Sequence, residues 1–535
     1  MIDVNKTIYE AWLPSLAEHK KDEALFYEGR SINYAEFHRL INRASYAYRA
    51  LGLQEGDVIA ILAPNTPEAI ASFFAASQCG LKVSMLHPLS KKEAILEDYR
   101  SKGAKLLVAA SLLLSNMDSI LDEDIKILSL PIKSSLPLLK KLLYPLINKA
   151  DRLDYRKHPN LHSFEEFKKE DRTLSRYDSK EGRIYLGSGG TSGKEKSIVL
   201  SDYAFLSLIK VVPELIDKRD GVFANLQAFS ALPLFHGFGL AISIMSFLYH
   251  GGSNFLVLKF RSKKAVAALK RKRKESIFVG VPAMYQAMMH NQEFTGEKLK
   301  RIRASFVGGD FIPPSLFASF EGKIRQAGGS SYLHEGYGLT ETVTVNCVNT
   351  DVAFKKGSIG KPISNIDIKI IDEQGKILGP NQEGEMIVAG PTLMNGYLEG
   401  EDPFIEIEGA RYVKTGDIGR KDEDGFLYFL SRKKRTIKKK GFNIYPLLVE
   451  KEVSSIEGVE ECAYLSKFGE KEEETYLFLH LKDGAKEEKV SETIKKMIKE
   501  KFFDFVLPDH FIFVPTFPRT KVAKIDAKGL WQYVK

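Results

Sequence analysis

Apolar positions in the first 130 residues change period several times. Phe37, Leu40, Ile41 and Ala44 recur at three- and four-residue spacing, so they share one face of a helix that Asn33 is placed to cap. Asp57 to Leu62 is a mainly apolar run that Pro64-Asn65-Thr66-Pro67 stops, and an apolar helix through Phe73 and Phe74 follows. Val83 to Leu86 and Leu106 to Ala109 are further short apolar runs. Strand and helix in alternation predict an α/β layered domain with some parallel pairing.

The rhythm breaks at residues 131–150. Leu136-Pro137-Leu138-Leu139-Lys140-Lys141-Leu142-Leu143-Tyr144-Pro145-Leu146-Ile147 is apolar, basic and interrupted by prolines. It fits a peripheral membrane contact or a surface segment packed on the domain. The last hundred residues change character again. Arg432 to Gly441 is strongly basic, Val459 to Leu465 and Tyr476 to Leu481 predict strands, and a Lys/Glu-rich run from about Ser491 predicts a helix. The expected architecture is α/β: a large layered N-terminal domain over 1–430 and a small α+β C-terminal domain over 431–535.

Length agrees with that division, since 535 residues exceed what one core usually holds. Apolar residues at 44% and charged residues at 27% fit a folded chain rather than a disordered one. No apolar run reaches the roughly 18 residues of a membrane helix. Met1 to Lys6 lacks a basic stretch followed by an apolar one, so no secretory signal is expected. Cys79, Cys347 and Cys462 are too scattered for a metal site or disulfide framework. A cytoplasmic location is expected, with the membrane contact through 131–150 left open. A net charge of +9 suits anionic partners: nucleotides, CoA, nucleic acid or acidic lipid. Lys270-Arg271-Lys272-Arg273-Lys274 reads as a solvated basic helix face, and no nucleic-acid partner is expected.

The strongest local signal is Tyr185-Leu186-Gly187-Ser188-Gly189-Gly190-Thr191-Ser192-Gly193-Lys194-Glu195-Lys196. Glycines permit a tight turn that presents backbone N–H groups to phosphate oxygens. Ser188, Thr191 and Ser192 add hydroxyl donors, and Lys196 adds a positive charge. The spacing matches neither G-x-x-x-x-G-K-[ST] nor a dinucleotide fingerprint. The loop resembles the phosphate loop of the adenylate-forming superfamily, which includes acyl-CoA synthetases of the fatty-acid–CoA ligase type. It departs from that pattern at Glu195, where proline is usual, and at Ser197, where glycine is usual.

Further segments follow in the same order as in that family. Leu232-Pro233-Leu234-Phe235-His236-Gly237-Phe238-Gly239 resembles the acyl-pocket segment, with His236 as an aromatic wall. It carries no Asp to pair a substrate amine. Val307-Gly308-Gly309-Asp310 looks like the backbone edge shared by the adenine and acyl pockets. His334-Glu335-Gly336-Tyr337-Gly338-Leu339-Thr340-Glu341 is similar to the family's aromatic-Gly-x-Thr-Glu signature. The resemblance implies that Tyr337 stacks on adenine, with Glu335 and Gly336 beside it, that Thr340 meets the α-phosphate and that Glu341 holds Mg²⁺. In Lys414-Thr415-Gly416-Asp417, Asp417 matches the ribose-binding carboxylate. In Ser431-Arg432-Lys433-Lys434, Arg432 matches a ribose or phosphate contact and Lys434 a hinge. Lys438 matches a nucleotide-contacting lysine, and Lys440 and Gly441 match the CoA-facing pair. Lys524, in Pro518-Arg519-Thr520-Lys521-Val522-Ala523-Lys524-Ile525, matches the adenylation lysine, with Ala523 in place of the usual glycine.

The resemblance implies an ATP-, Mg²⁺- and CoA-dependent ligase that turns a carboxylic acid into an acyl-adenylate and then a thioester, its small domain rotating about Lys434. Absence of an amine-pairing Asp predicts a fatty or other apolar acid. Two alternatives stay open. One is transfer to an acyl-carrier protein; the other is a non-catalytic nucleotide-binding relative.

Overall fold

The computed structural model describes residues 2–147, 153–188, 196–216, 222–271, 274–310, 312–439, 442–468, 473–519 and 525–534. It is a mixed α/β structure with a large N-terminal and a small C-terminal domain. Asn33 caps helix Tyr34–Ala50 reciprocally: its side chain accepts from Glu36 N at 2.8 Å while Glu36 accepts from Asn33 N. Phe37, Ile41 and Ala44 are buried on its inner face, as their spacing predicts. Helix Pro67–Gln78 starts behind the Thr66 cap and is buried along its whole length, which is why its sequence shows no polar face.

Two large sheets flank these helices. One has eight strands, in the order Gly396–Tyr397, Ser197–Ser201, Gly182–Gly187, Lys82–Met85, Val58–Leu62, Ala104–Ala110, Ile127–Leu130, Leu161–Ser163. From Gly182–Gly187 to Leu161–Ser163 the pairs are parallel. Phe73 and Phe74 lie in a core that reaches Ile59 and Ile184 on this sheet. On its other side Leu62 and Leu107 pack with Ile95 and Leu96 of helix Lys92–Ser101. Burial on both faces explains the unbroken apolar runs.

The second sheet has nine strands. Its parallel centre includes Leu226–Ser230, Glu275–Gly280, Ile302–Val307 and Leu333–Gly338, side by side. Phe229 and Phe278 join it to the same core. A third, five-stranded sheet contains Asp367–Ile371, Gly384–Ala389, Ala410–Lys421, Phe404–Ile407 and Leu427–Arg432.

The C-terminal region has a core of its own, built from residues 437 onward and including Ile437, Ile444, Val453, Tyr464, Leu477 and Ile494. Strands Val459–Phe468, Glu473–Leu481 and His510–Phe513 form a three-stranded sheet. Helix Glu487–Lys501 begins earlier than its sequence pattern suggests, with Glu487 and Glu488 in the first turn. Acidic residues there suit the positive end of the helix dipole. Among the described residues no helix is long and apolar enough to cross a membrane.

Candidate active site

Parallel strands Ile302–Val307 and Leu333–Gly338 pair up to Val307 opposite Glu335, where the first strand ends and the second runs on to Gly338. Segments Gly308–Asp310 and Gly336–Tyr337 therefore emerge side by side at the carboxyl edge of the sheet, where α/β folds place ligands. The glycines are there for space. A Cβ on Gly308 would stand 2.7 Å from Gly336 O, and one on Gly338 only 1.4 Å from Thr344 O. Past Gly338 the chain turns tightly through Thr340–Thr342 into Val343, whose φ of 64° is strained for a β-branched residue. A Cβ on Gly237 would lie 1.8 Å from Val343 O. That contact presses the His236 segment against the Thr340–Val343 turn.

Asp417 and Arg432 are register partners across Ala410–Lys421 and Leu427–Arg432. Arg432 Nε lies 3.0 Å from Asp417 Oδ1, and the Tyr337 hydroxyl donates to Oδ2 at 2.5 Å. Asp417 is fully buried. Burial pushes its carboxyl up to about 6; the Arg432 charge and the Tyr337 bond pull the other way, and Glu341 and Glu385 push with it. Oδ1 accepts no hydrogen bond, so an acceptor is left over beneath a half-exposed arginine. Tyr337, whose ring leans on Phe429 at 6.0 Å, is driven well above the usual phenol range by burial and then by Asp417. It stays a donor at neutral pH. Glu335 is half-buried, and burial raises it to about 7 against the charge of Lys451 from the small domain.

The phosphate end is a hairpin. Gly182–Gly187 and Ser197–Ser201 run antiparallel with Gly187 opposite Ser197. Ser188 N donates to Lys196 O at 2.8 Å, and Lys196 N donates to Ser188 Oγ at 3.0 Å. These bonds close the base of the loop; Gly189, Gly190, Thr191, Ser192, Gly193 and Glu195 lie outside the described residues. Lys196 Nζ sits 4.3 Å over the Tyr397 ring, and the Tyr397 hydroxyl donates to Glu341 Oε1 at 3.0 Å. Burial, then the Glu341 carboxylate, raises the Tyr397 phenol. Strand Gly396–Tyr397 is pinned by its pairing with Ser197–Ser201 and by Met394 N donating to Glu341 O at 2.8 Å. Three segments distant in sequence thus set an ammonium, a phenol and a carboxylate in a row.

Beside this, buried Asn65 holds the Leu232 turn. Its Nδ2 donates to Ser230 O and Leu232 O, and its Oδ1 accepts from Leu234 N. His236 stacks obliquely on Phe235, which also meets His87, each at 4.5 Å. Phe238–Met245 then winds as a π-helix, a geometry frequent at functional sites.

Small-domain candidates sit apart from this cluster. Lys434 occupies the tight turn Lys433–Arg435. Strand Ile437–Lys439 alternates buried, exposed, buried. Its exposed member, Lys438, lies 3.6 Å from Glu373 rather than on the Asp417–Tyr337 pair. Lys439 is buried on Asp509 and Thr475. Lys440, Gly441 and Lys524 lie outside the described residues.

The family model for AMP-binding enzymes matches residues 14–398, and that for the AMP-binding enzyme C-terminal domain matches 448–524. The chain belongs to the AMP-binding enzyme family. Among relatives of this AMP-binding enzyme is a long-chain-fatty-acid–CoA ligase of Bacillus subtilis, 27% identical over 98% of this chain and 94% of that one. Another, of the same description, from Escherichia coli O157:H7, is 28% identical over 91% and 87%. The ATP-bound structure of MatB from Rhodopseudomonas palustris superposes with a TM-score of 0.82 at 21% identity, covering 99% of this chain and 98% of that one. It establishes a shared fold.

Three residues of this AMP-binding enzyme's site carried no sequence signal. Tyr397 and Asn65 act from outside any glycine-rich or charged motif. Glu385 accepts from Gly416 N at 3.1 Å and from Lys433 at 2.8 Å, fixing the turn before Asp417. Local spacing could not have found them, because their partners lie on segments distant in sequence.

Proposed function

We propose that this AMP-binding enzyme activates a carboxylic acid with ATP and passes the acyl group to CoA. One observation carries the reading: a single short segment holds both Tyr337, bonded to Asp417 with its unsatisfied buried acceptor, and Glu341, bonded to the Tyr397 that lies under the Lys196 ammonium. A buried acceptor suits ribose hydroxyls, and an ammonium suits phosphate oxygens. In this reading Tyr337, oriented by its bond to Asp417, stacks on adenine beside Gly309, Asp310, Glu335 and Gly336. Asp417 accepts from the ribose hydroxyls and Arg432 moves aside or joins them. Ser188, the glycine loop, Lys196 and Thr340 bind phosphate oxygens. His236 walls the acyl side.

Glu341 fits Mg²⁺. Among the described residues no three His, Cys, Asp or Glu side chains converge, and Mg²⁺ commonly takes one or two carboxylates plus substrate phosphates. Once bound it would neutralise phosphate charge. The substrate carboxylate attacks the α-phosphorus, and the bond to pyrophosphate breaks. Lys524 offsets the developing charge. The CoA thiolate then attacks the acyl carbonyl, and the acyl–oxygen bond to AMP breaks. Strand Leu427–Arg432 pairs to its last residue with Ala410–Lys421, so we place the domain boundary just past Arg432 rather than at 430, with Lys434 as pivot and Lys438, Lys440 and Gly441 on the face that serves the second step. An apolar acid without an α-amine suits the segment 232–240, which has no carboxylate to pair an ammonium. The names of the fatty-acid–CoA ligase relatives support this choice.

A pyrophosphate-release screen over a panel of acids, with and without CoA, tests the reading. Apolar acids should release pyrophosphate and yield thioester with CoA. Fastest release with amino acids would overturn the substrate class. Release without thioester, restored by a carrier protein bearing phosphopantetheine, would replace CoA as acceptor.

A further inference from the structure

Helix Leu138–Ile147 is anchored to the large domain from one side. Leu136 just before it is buried, the Ser135 hydroxyl donates to buried Glu68 at 2.5 Å, and Tyr144 packs on the main core. The opposite side is bare: Leu138, Leu139, Leu142 and Leu143 are 76%, 70%, 67% and 43% exposed. At about 100° per residue these leucines span an arc of about 140°, with Tyr144 roughly opposite its centre. Lys140 and Lys141 fall about 60° beyond either edge of the arc. Four large apolar side chains in water on a ten-residue helix cost solvation without any packing return.

We propose that this helix is a membrane-docking surface, its four leucines entering the headgroup–acyl boundary of an anionic bilayer with Lys140 and Lys141 on lipid phosphates. Charge selects this occupant. Long lysine stems flanking an apolar strip can keep their ammonium groups at headgroup level while the strip inserts. The net charge of +9 adds long-range attraction. Both lysines can be released to lipid. Lys140 donates to Glu28 O at 2.6 Å and lies 3.5 Å from its carboxylate, but that carboxylate is already held by Lys264 at 2.6 Å. Lys141 is only loosely placed, 3.8 Å from Glu165. A second copy of the chain fits less well. The strip offers an area on the order of 500 Å², short of the about 800 Å² per partner of a stable dimer, and its lysine rims would approach one another.

The test is co-sedimentation of the full chain with phosphatidylcholine vesicles and with vesicles also containing phosphatidylglycerol. The protein should bind the anionic vesicles, and added salt should weaken binding. The variant L138S/L139S/L142S should lower the partition coefficient about tenfold or more with its melting temperature unchanged. L89S, at an exposed leucine elsewhere, should bind like the parent. K140E/K141E should lower binding to anionic vesicles specifically. Equal binding by the triple variant, or no vesicle binding by the parent, would overturn the proposal. So would self-association that the triple variant abolishes in a protein that ignores vesicles, which would assign the strip to a second copy.

Discussion

Asp417 and Lys438 each belong to an ion pair, and the two pairs differ in nearly every physical respect. Asp417 is fully buried 3.0 Å from Arg432, shares its carboxylate with Tyr337 and sits on a turn that Glu385 and Thr415 brace. Lys438 and Glu373 are 3.6 Å apart and about three-quarters exposed at both ends. The first site is organised before any ligand arrives. The second is held by contacts that water can replace. Lys433 with Glu385, and Tyr445 with Glu383, are further polar ties between residues 433–445 and the glutamates of 373–385. A joint made of such ties can be remade elsewhere at little cost. This contrast between a fixed, buried site, the proposed nucleotide floor, and an exchangeable charged strand motivates the two-step reading.

The sharpest break would come at Lys524. Lys524→Ala should reduce adenylate formation about 10²- to 10³-fold, the usual cost of losing a transition-state donor. Thioester formation from supplied acyl-adenylate should stay within a few-fold of the parent. Measuring both half-reactions on one preparation decides it, and equal loss in both would remove the reason for a moving domain.

Asp417→Asn tests the floor. We expect ATP affinity to fall about 100-fold, as charge-assisted bonds to ribose are lost, while the melting temperature holds or rises. Asp417 titrates near 6 in the fold against an ordinary 3.8. Between those values the folded chain binds the proton more tightly than the unfolded one, so this group's contribution to stability improves as pH falls through the window and worsens as pH rises. Nucleotide binding has the opposite sign. In the proposed pose ribose hydroxyls donate to the ionised carboxylate, so parent ATP affinity should decline as pH drops through about 6. Calorimetric titration across that range checks it, and a flat profile would detach Asp417 from the nucleotide.

Lys440→Glu should cut thioester yield about tenfold at low salt, with less effect as salt screens the repulsion of CoA. Pyrophosphate release without CoA should barely change. Equal damage to both steps would make Lys440 a structural residue.

Much of this was legible in the sequence where one motif supplies both partners. The capping of Tyr34–Ala50 by Asn33 and Glu36, and the hairpin around Ser188 and Lys196, follow from local spacing. Asp417 and Tyr337 were legible singly, as members of glycine-flanked segments; their shared hydrogen bond depends on the nine-stranded and five-stranded sheets meeting, which no local pattern encodes. Tyr397 was invisible because its two partners, Lys196 and Glu341, are 201 and 56 residues away. The run Leu136–Tyr144 admitted two readings; Leu136 and Tyr144 pack inward while the leucines between face water. Within Lys270–Lys274, Arg271 leaves the expected solvated helix face: helix Ser262–Lys270 ends before it, and it pairs with Glu23 at 2.7 Å and covers the Phe26 ring, while Lys272 and Arg273 lie outside the described residues.

The smallest expected effect lies at Glu373. An exposed pair of this separation is worth between nothing and about 1 kcal/mol, because two long side chains must be ordered to form it and solvent screens the attraction. Glu373→Gln keeps the shape and removes the charge. The melting temperature should therefore stay within the small scatter of surface substitutions, about 0.5 kcal/mol in stability. Rates of adenylation and thioester formation should each move less than about threefold, since RT ln 3 is well under 1 kcal/mol. If the Lys438–Glu373 contact is one of several that hold the arrangement seen, the two rates should shift in opposite directions, because loosening one arrangement favours the other. A large loss in either step would mean that this exposed pair does what the buried Asp417 pair does. The small domain would then be docked firmly, and rotation about Lys434 would need a different source of freedom.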